Sequence, residues 1–150
     1  MISDAADSSV AAELQGLIDA FFAAVSFRNG ERPDYAKLRD LFVAEGKLIT
    51  AAQQPPDIAS VDDFIQPRQV MVDAGELTSF LEVEAVGRNA AFGNVAHRIS
   101  TYNKRGTRNG ESFAATGVIS TQFVKTPLGW RISSMAWDDE RPGLEAPDSW

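Results

Sequence analysis

Three stretches in the last third of the chain decide the fold: Asn94-Val-Ala-His-Arg-Ile-Ser-Thr-Tyr102, Ser112-Phe-Ala-Ala-Thr-Gly-Val-Ile-Ser-Thr-Gln-Phe-Val124 and Gly129-Trp-Arg-Ile-Ser-Ser-Met-Ala-Trp-Asp138. Each reads as a β-strand, and side chains alternate across a strand, so every second residue shares a face. Counting by twos puts Val95, His97, Ile99 and Thr101 on one face of the first. Phe113, Ala115, Ile119, Thr121 and Phe123 follow on the second, and Trp130, Ile132, Ser134, Ala136 and Asp138 on the third. That face is apolar and carries the only histidine of the chain. The imidazole is either a core group paired to a backbone carbonyl or to Asp138, or the polar group of a pocket.

Working towards the N-terminus, the period changes from two to helical. Leu81, Val83 and Ala85 alternate with Glu82 and Glu84, and Gly87-Arg-Asn89 reads as a turn or bulge. Ser60-Val-Asp-Asp63 has the form of a capping box opening a helix through Phe64 and Ile65, which Pro67 should kink or interrupt and which resumes weakly through Val70 and Met71 to Gly75. Lys47–Ala51 reads as a short strand, and Gln53–Asp57 as a loop on its turn chemistry. Pro33 and Asp34 open a short helix with Tyr35, Leu38, Leu41 and Phe42 on one side, closed by Gly46. Val10, Leu14, Leu17, Ile18, Phe21, Phe22 and Val25 form the apolar stripe of a leading helix that Ser8 or Ser9 caps and Asn29-Gly30 stops. Helices first and hairpin-linked strands afterwards specify an α+β domain over 10–143, between loose tails at 1–9 and 144–150.

Composition narrows the function. The 150 residues carry a net charge of −7 and no basic run, which argues against a nucleic-acid partner. There is no cysteine, so disulfides, zinc ribbons and thiol catalysis are excluded. With one histidine, a histidine-rich metal site is out of reach of a single chain, and no metal or other cofactor is expected. The acidic start Met1–Asp7 lacks the form of a secretion signal, and no apolar run reaches the ~20 residues of a membrane span. A cytoplasmic protein without membrane contact follows by default.

The order of elements, the leading amphipathic helix and the closing stretch Gly129-Trp-Arg-Ile-Ser-Ser-Met-Ala-Trp-Asp-Asp-Glu-Arg141 resemble the SnoaL-like branch of the nuclear transport factor 2-like superfamily over roughly Val10 to Gly143. The resemblance implies a cone: a strongly curved, mostly antiparallel sheet wrapped around helices, with a pocket at the open end and dimers formed through the outer sheet surface. It also implies ketosteroid isomerases, dehydratases, polyketide cyclases and binding domains as relatives, the enzymes using an Asp or an Asp–His pair with tyrosines inside the cone.

The chemistry expected of the pocket follows from these residues. His97 is the candidate acid–base group of a cofactor-independent lyase or isomerase, since imidazole titrates near working pH. Asp138 would orient it, unless it is simply a solvated strand end beside Asp139 and Glu140. Phe22, Phe64, Met71, Phe113 and Trp130, with the hydroxyls of Thr101, Thr121 and Ser134, would line a cavity for a small apolar molecule or serve as plain core. The opposite sheet face holds Arg98, Tyr102, Val118, Arg131, Met135 and Trp137, an aromatic, Met and Arg content that points to a two-fold dimer. The expected function is therefore a domain holding a small apolar ligand; the alternatives are the His97 enzyme and a protein-interaction module with a vestigial pocket.

Overall fold

The computed structural model describes residues 8–150. Of the expected N-terminal tail, residues 1–7 lie outside these, and Ser8 and Ser9 are already helical. Helix α1 (Ser8–Val25) is followed by a 3-10 turn (Tyr35–Lys37), a single turn α2 (Leu38–Leu41), strands β1 (Phe42–Thr50) and β2 (Asp57–Ser60), helix α3 (Val61–Asp73), and four long strands: β3 (Leu77–Phe92), β4 (Val95–Arg108), β5 (Glu111–Thr126) and β6 (Gly129–Asp139). They form one six-stranded sheet in the order β2-β1-β6-β5-β4-β3, antiparallel except where β1 runs parallel to β6. The expected α+β architecture holds: the helices pack against one face of this sheet.

Local chemistry explains the elements. Leu14, Ile18, Phe21, Phe22 and Val25 recur every three or four residues along α1, and all are buried. This 18-residue helix is long and apolar enough on average to cross a membrane, but it carries Glu13, Gln15 and Asp19 and its apolar stripe is packed into the core. The Ser60 hydroxyl caps α3, accepting from the Asp63 amide at 3.1 Å, and Pro67 is accommodated within the helix. The second expected helix is shorter than its pattern suggested. A strand begins at Phe42, and Gly46 lies within it, where a Cβ would meet the Phe42 ring at 2.8 Å.

Two hairpins set the phase of the sheet, and both depart from simple alternation. In β3–β4, Asn89 faces Arg98, Ala91 faces Ala96 and His97 faces Ala90. Across β4–β5, His97 pairs with Gln122 while Ala96 pairs with the fully buried Phe123. The inward set on β4 is therefore Ala96, Arg98, Ser100, Tyr102 and Lys104, one residue out of step with the expectation. His97 is exposed on the outer face. Ala85 is an extra residue between the pairs Glu84–Tyr102 and Val86–Thr101, so Glu82 and Glu84 point inward and Leu81 and Val83 outward.

In β5–β6 the register shifts between Gln122–Ser134 and Phe123–Ile132, leaving Ser133 as a bulge. Trp130 and Ile132 face in before it; Met135, Trp137 and Asp139 face in after it. Ser134 and Asp138, expected inside, are outside, whereas Met135 and Trp137, expected on the outer surface, are inside. Residues 144–150, expected to be loose, run over the outer face. Thr101 Oγ1 donates to the Pro147 carbonyl at 2.7 Å, and the Trp150 indole N–H reaches the same hydroxyl at 3.2 Å. Thr101 is buried under this segment rather than inside the cone.

The inward phase of β4 is stable because its polar side chains satisfy one another. Arg98 donates Nε and Nη2 to the two Glu84 oxygens, each at 2.8 Å, and Nη1 to Asn89 Oδ1 at 2.7 Å; Ser100 donates to the same carboxylate, and Gln15 of α1 reaches it at 3.3 Å. Burial alone would raise the Glu84 carboxyl, but the hydrogen bonds from Arg98 and Ser100 outweigh it and hold the group below the usual carboxylate range. Removing one partner of such a buried pair costs about 3–5 kcal/mol. Arg98→Ala should lose that much stability in urea titrations, and Arg98→Met/Glu84→Met less than the sum of its single variants. A loss below about 1 kcal/mol for Arg98→Ala would show that the pair does not hold the hairpin.

Candidate functional site

Between the helices and the concave face lies a cavity of about 350 Å3. Phe21 and Val25 of α1 and Phe64 and Met71 of α3 form one wall; Leu77, Phe80, Phe113, Ile119 and Trp137 of the sheet form the other. Into this apolar space project Glu82 from β3, Lys104 and Arg108 from β4, Arg68 from α3 and Tyr35 from the 3-10 turn. An apolar cleft with a few convergent polar groups is the usual form of a small-molecule site.

Glu82 is the unusual member. Its backbone is pinned at the sheet edge: Ser26 Oγ accepts from the Glu82 amide at 3.0 Å and donates to the Glu82 carbonyl at 3.3 Å. Beside it, Phe27 and Phe80 exchange backbone hydrogen bonds of 2.7 and 2.9 Å. The carboxyl itself receives no side-chain hydrogen bond or ion pair from the described residues. Burial pushes it up to about 7; Lys104 pulls the other way, Asp139 adds to the rise and Arg68 offsets part of it.

Its neighbours are held differently. Lys104 stands opposite Glu82 across the β3–β4 ladder, and its ammonium pairs with Asp139 at 3.1 Å. Asp139 also accepts from the Tyr102 hydroxyl, which lies 3.2 Å from the Asp138 carbonyl. Burial and the adjacent Asp139 raise the Tyr102 hydroxyl, so it stays a donor. Gly117 makes this possible: a Cβ there would collide with the Tyr102 ring and hydroxyl. Arg108 pairs with Glu76 at 2.7 Å. The Arg68 guanidinium lies 3.6 Å over the Phe64 ring centroid and donates to the Phe64 carbonyl at 3.0 Å; the Phe64 ring in turn meets Trp137 edge-on at 5.9 Å. The Tyr35 phenol is buried in the wall, which raises its ionisation against the pull of Arg68.

Of the residues singled out in the sequence, Phe64, Met71 and Phe113 line the cavity. Phe22 and Trp130 are buried core outside it. Thr121 faces inward, fully buried, with no partner for its hydroxyl among the described residues, but it does not reach the cavity. Thr101 and Ser134 lie on the outer side. His97 and Asp138 are there too, four residue positions apart along β5, opposite Gln122 and Val118 respectively, with Asp138 bound to Arg141 at 2.8 Å. The expected His97–Asp138 dyad inside the cone is not formed. The groups the sequence reading missed are Glu82, Lys104, Arg68, Asp139, Tyr35 and Tyr102. One signal pointed to the first two: a hairpin turning at Gly93-Asn94 brings Glu82 near Lys104 and Asn89 near Arg98, which are complementary pairs only if they share a face.

No protein-family model and no curated protein sequence matches the chain. Solved structures do. A nuclear transport factor 2 (NTF2-like) superfamily protein from Salmonella enterica serovar Typhimurium superposes with a TM-score of 0.74 at 17% identity, covering 93% of this chain and 98% of that one. A hexachlorocyclohexane dehydrochlorinase from Novosphingobium barchaimii gives 0.74 at 12% identity over 93% and 92%. An NTF2-like protein of unknown function from Silicibacter pomeroyi gives 0.59 at 17% identity over 89% and 98%. Superposition over 89–93% of the chain at such low identity speaks for the fold alone: the chain shares the α+β cone fold of these NTF2-like structures.

Proposed function

We propose that the cone binds a small, flat, largely apolar molecule and presents the Glu82 carboxyl to its polar end. The observation that carries this is a cavity of about 350 Å3 lined by a carboxyl, Glu82, that has no side-chain partner among the described residues. A purely structural carboxylate at that position would be satisfied as Glu84 is, two residues along the same strand face. The open cone also weighs against a module with a vestigial pocket. Titration of the protein with 2-naphthamide should show binding, and Ile119→Trp, which fills the cavity, should abolish it while the fold persists by circular dichroism. Unchanged affinity in the filled variant would place the ligand elsewhere.

A second reading, proton transfer, is favoured by the raised ionisation of Glu82. A general base works best when it titrates near the operating pH. Glu82 takes the role first considered for His97: it would remove a proton from a carbon beside a carbonyl, the electron pair moving to the carbonyl oxygen, with the Lys104 ammonium and the Tyr35 hydroxyl lining the same space to steady the oxyanion. One structural neighbour is named as a dehydrochlorinase, and loss of HCl likewise takes a proton from carbon. NMR should show the protein speeding deuterium exchange of 2-tetralone. The rate should rise with pH through about 7, as the carboxylate form appears, and fall at least about 100-fold in Glu82→Gln. Exchange no faster than in buffer, or unaffected by Glu82→Gln, would rule the reading out.

For assembly, we propose a two-fold dimer through the outer sheet face, with a revised contact set. Arg98, Tyr102, Met135 and Trp137 are inward and drop out; Val118 and Arg131 remain, joined by Leu81 and the exposed Val83. Sedimentation at micromolar concentration should give a dimer that Val83→Lys converts to monomer; a monomeric parent protein would refute the interface.

A further inference from the structure

The cavity brings three cations to its wall, and only two of them are neutralised by the protein. Lys104 has Asp139, and Arg108 has Glu76. Arg68 has no carboxylate within ion-pair distance among the described residues, and its one hydrogen bond goes to the Phe64 carbonyl. The charges facing it are Glu82 from β3 and Asp57 at the start of β2, with the Tyr35 phenol on the 3-10 turn; none is in contact with it. Desolvation without a partner penalises a guanidinium, lowering its hold on the proton below that of an ordinary arginine. Yet the side chain is not left to wander. The hydrogen bond and the Phe64 ring fix it, and Trp137 backs that ring. Stacking uses the face of the guanidinium and Nη1 is held by the Phe64 carbonyl, which leaves Nε and Nη2 without an acceptor among the described residues, and such a pair of N–H groups can grip a carboxylate with two parallel hydrogen bonds.

From this arrangement we propose that Arg68 anchors the carboxylate of an aromatic acid bound in the cone, so that the site selects anionic aromatic molecules over their neutral counterparts. The proposal rests on the reading of the cone as a ligand site and adds the chemical class of the ligand. The aromatic walls, Phe64 from α3 and Phe80, Phe113 and Trp137 from the sheet, take the ring. The guanidinium takes the charge. With Lys104–Asp139 and Arg108–Glu76 each neutral as pairs, Arg68 and Glu82 are the charges left over. Burial raises the Glu82 carboxyl to about 7, so near neutrality the charge of Arg68 outweighs that of Glu82 and the wall is net positive towards an anion. A carboxylate on Arg68 also leaves the Glu82 carboxyl free to meet the remainder of the molecule.

The test compares 2-naphthoate with its neutral isostere 2-naphthamide by calorimetric titration at about pH 6, where Glu82 is mostly protonated. The parent protein should bind the acid at least about tenfold more tightly, the scale of a charge-assisted hydrogen-bonded pair. Arg68→Gln should bring the acid down to the affinity of the amide and leave the amide unchanged, and Arg68→Lys should keep part of the preference. Equal affinities in the parent protein, or a loss that Arg68→Gln imposes equally on both probes, would overturn the proposal; the second result would mean that Arg68 serves only to pack Phe64. If the amide binds and the acid has no advantage, the ligand site stands and the anion preference falls. If neither probe binds to folded protein, both fall together.

Discussion

The fork that Arg98 places on Glu84 is the interaction on which the sheet depends. A strand slipped by one residue turns every side chain to the opposite face, so a hairpin with polar residues on both faces needs something to fix its phase. Here the fixing element is a guanidinium with three of its nitrogens bound to Glu84 and Asn89, on the buried side and covered by Gln15 of α1. A slip would break all of these bonds and leave a buried charge unpaired. Once that phase is set, Tyr102 lies over Gly117 and reaches Asp139, Asp139 holds Lys104, and Lys104 stands opposite Glu82. The polar floor of the cavity is thus a consequence of a structural ion pair a few residues away.

Glu82 and Glu84 show how one strand supports two kinds of carboxylate. They share a face and are separated by a single residue. Glu84 accepts from Arg98, Ser100 and Gln15 and is held in its charged form. Glu82 has its backbone clamped by Ser26 but its carboxyl turned to an apolar cavity, and burial raises it towards neutrality. The surroundings of the two carboxyls push their ionisation apart, one held charged by its partners and one raised by burial.

Much of the architecture was legible in the sequence, and the reasons are physical. The α1 stripe has only one amphipathic solution, and the Ser60 cap with its Asp63 amide is a local hydrogen bond that needs no tertiary information. Phe64 and Met71 were readable as cavity residues because the helical period carries across Pro67, which the helix accommodates, and Phe113 because strand alternation holds around it. The phase of β4 was not. Val95 and Ile99 are the apolar residues there, so alternation put them and His97 inside, whereas the polar set faces in because it is mutually satisfied. The outward side is partly covered by the C-terminal residues, a contact between distant segments that local pattern cannot show. The Ser133 bulge was equally silent: two serines fit either face, and a single extra residue sends Met135, Trp137 and Asp139 inward in place of Ser134 and Asp138.

The account converges on the state of one carboxyl group. Carbon-13 NMR of protein labelled at the glutamate side chains, with Glu82 assigned by its absence in Glu82→Gln, reads that state directly. A titration midpoint for Glu82 near 7, well separated from the other glutamates, is the predicted result. A midpoint at the ordinary value near 4.5 would mean that the group is solvated or paired, and the central claim would be wrong.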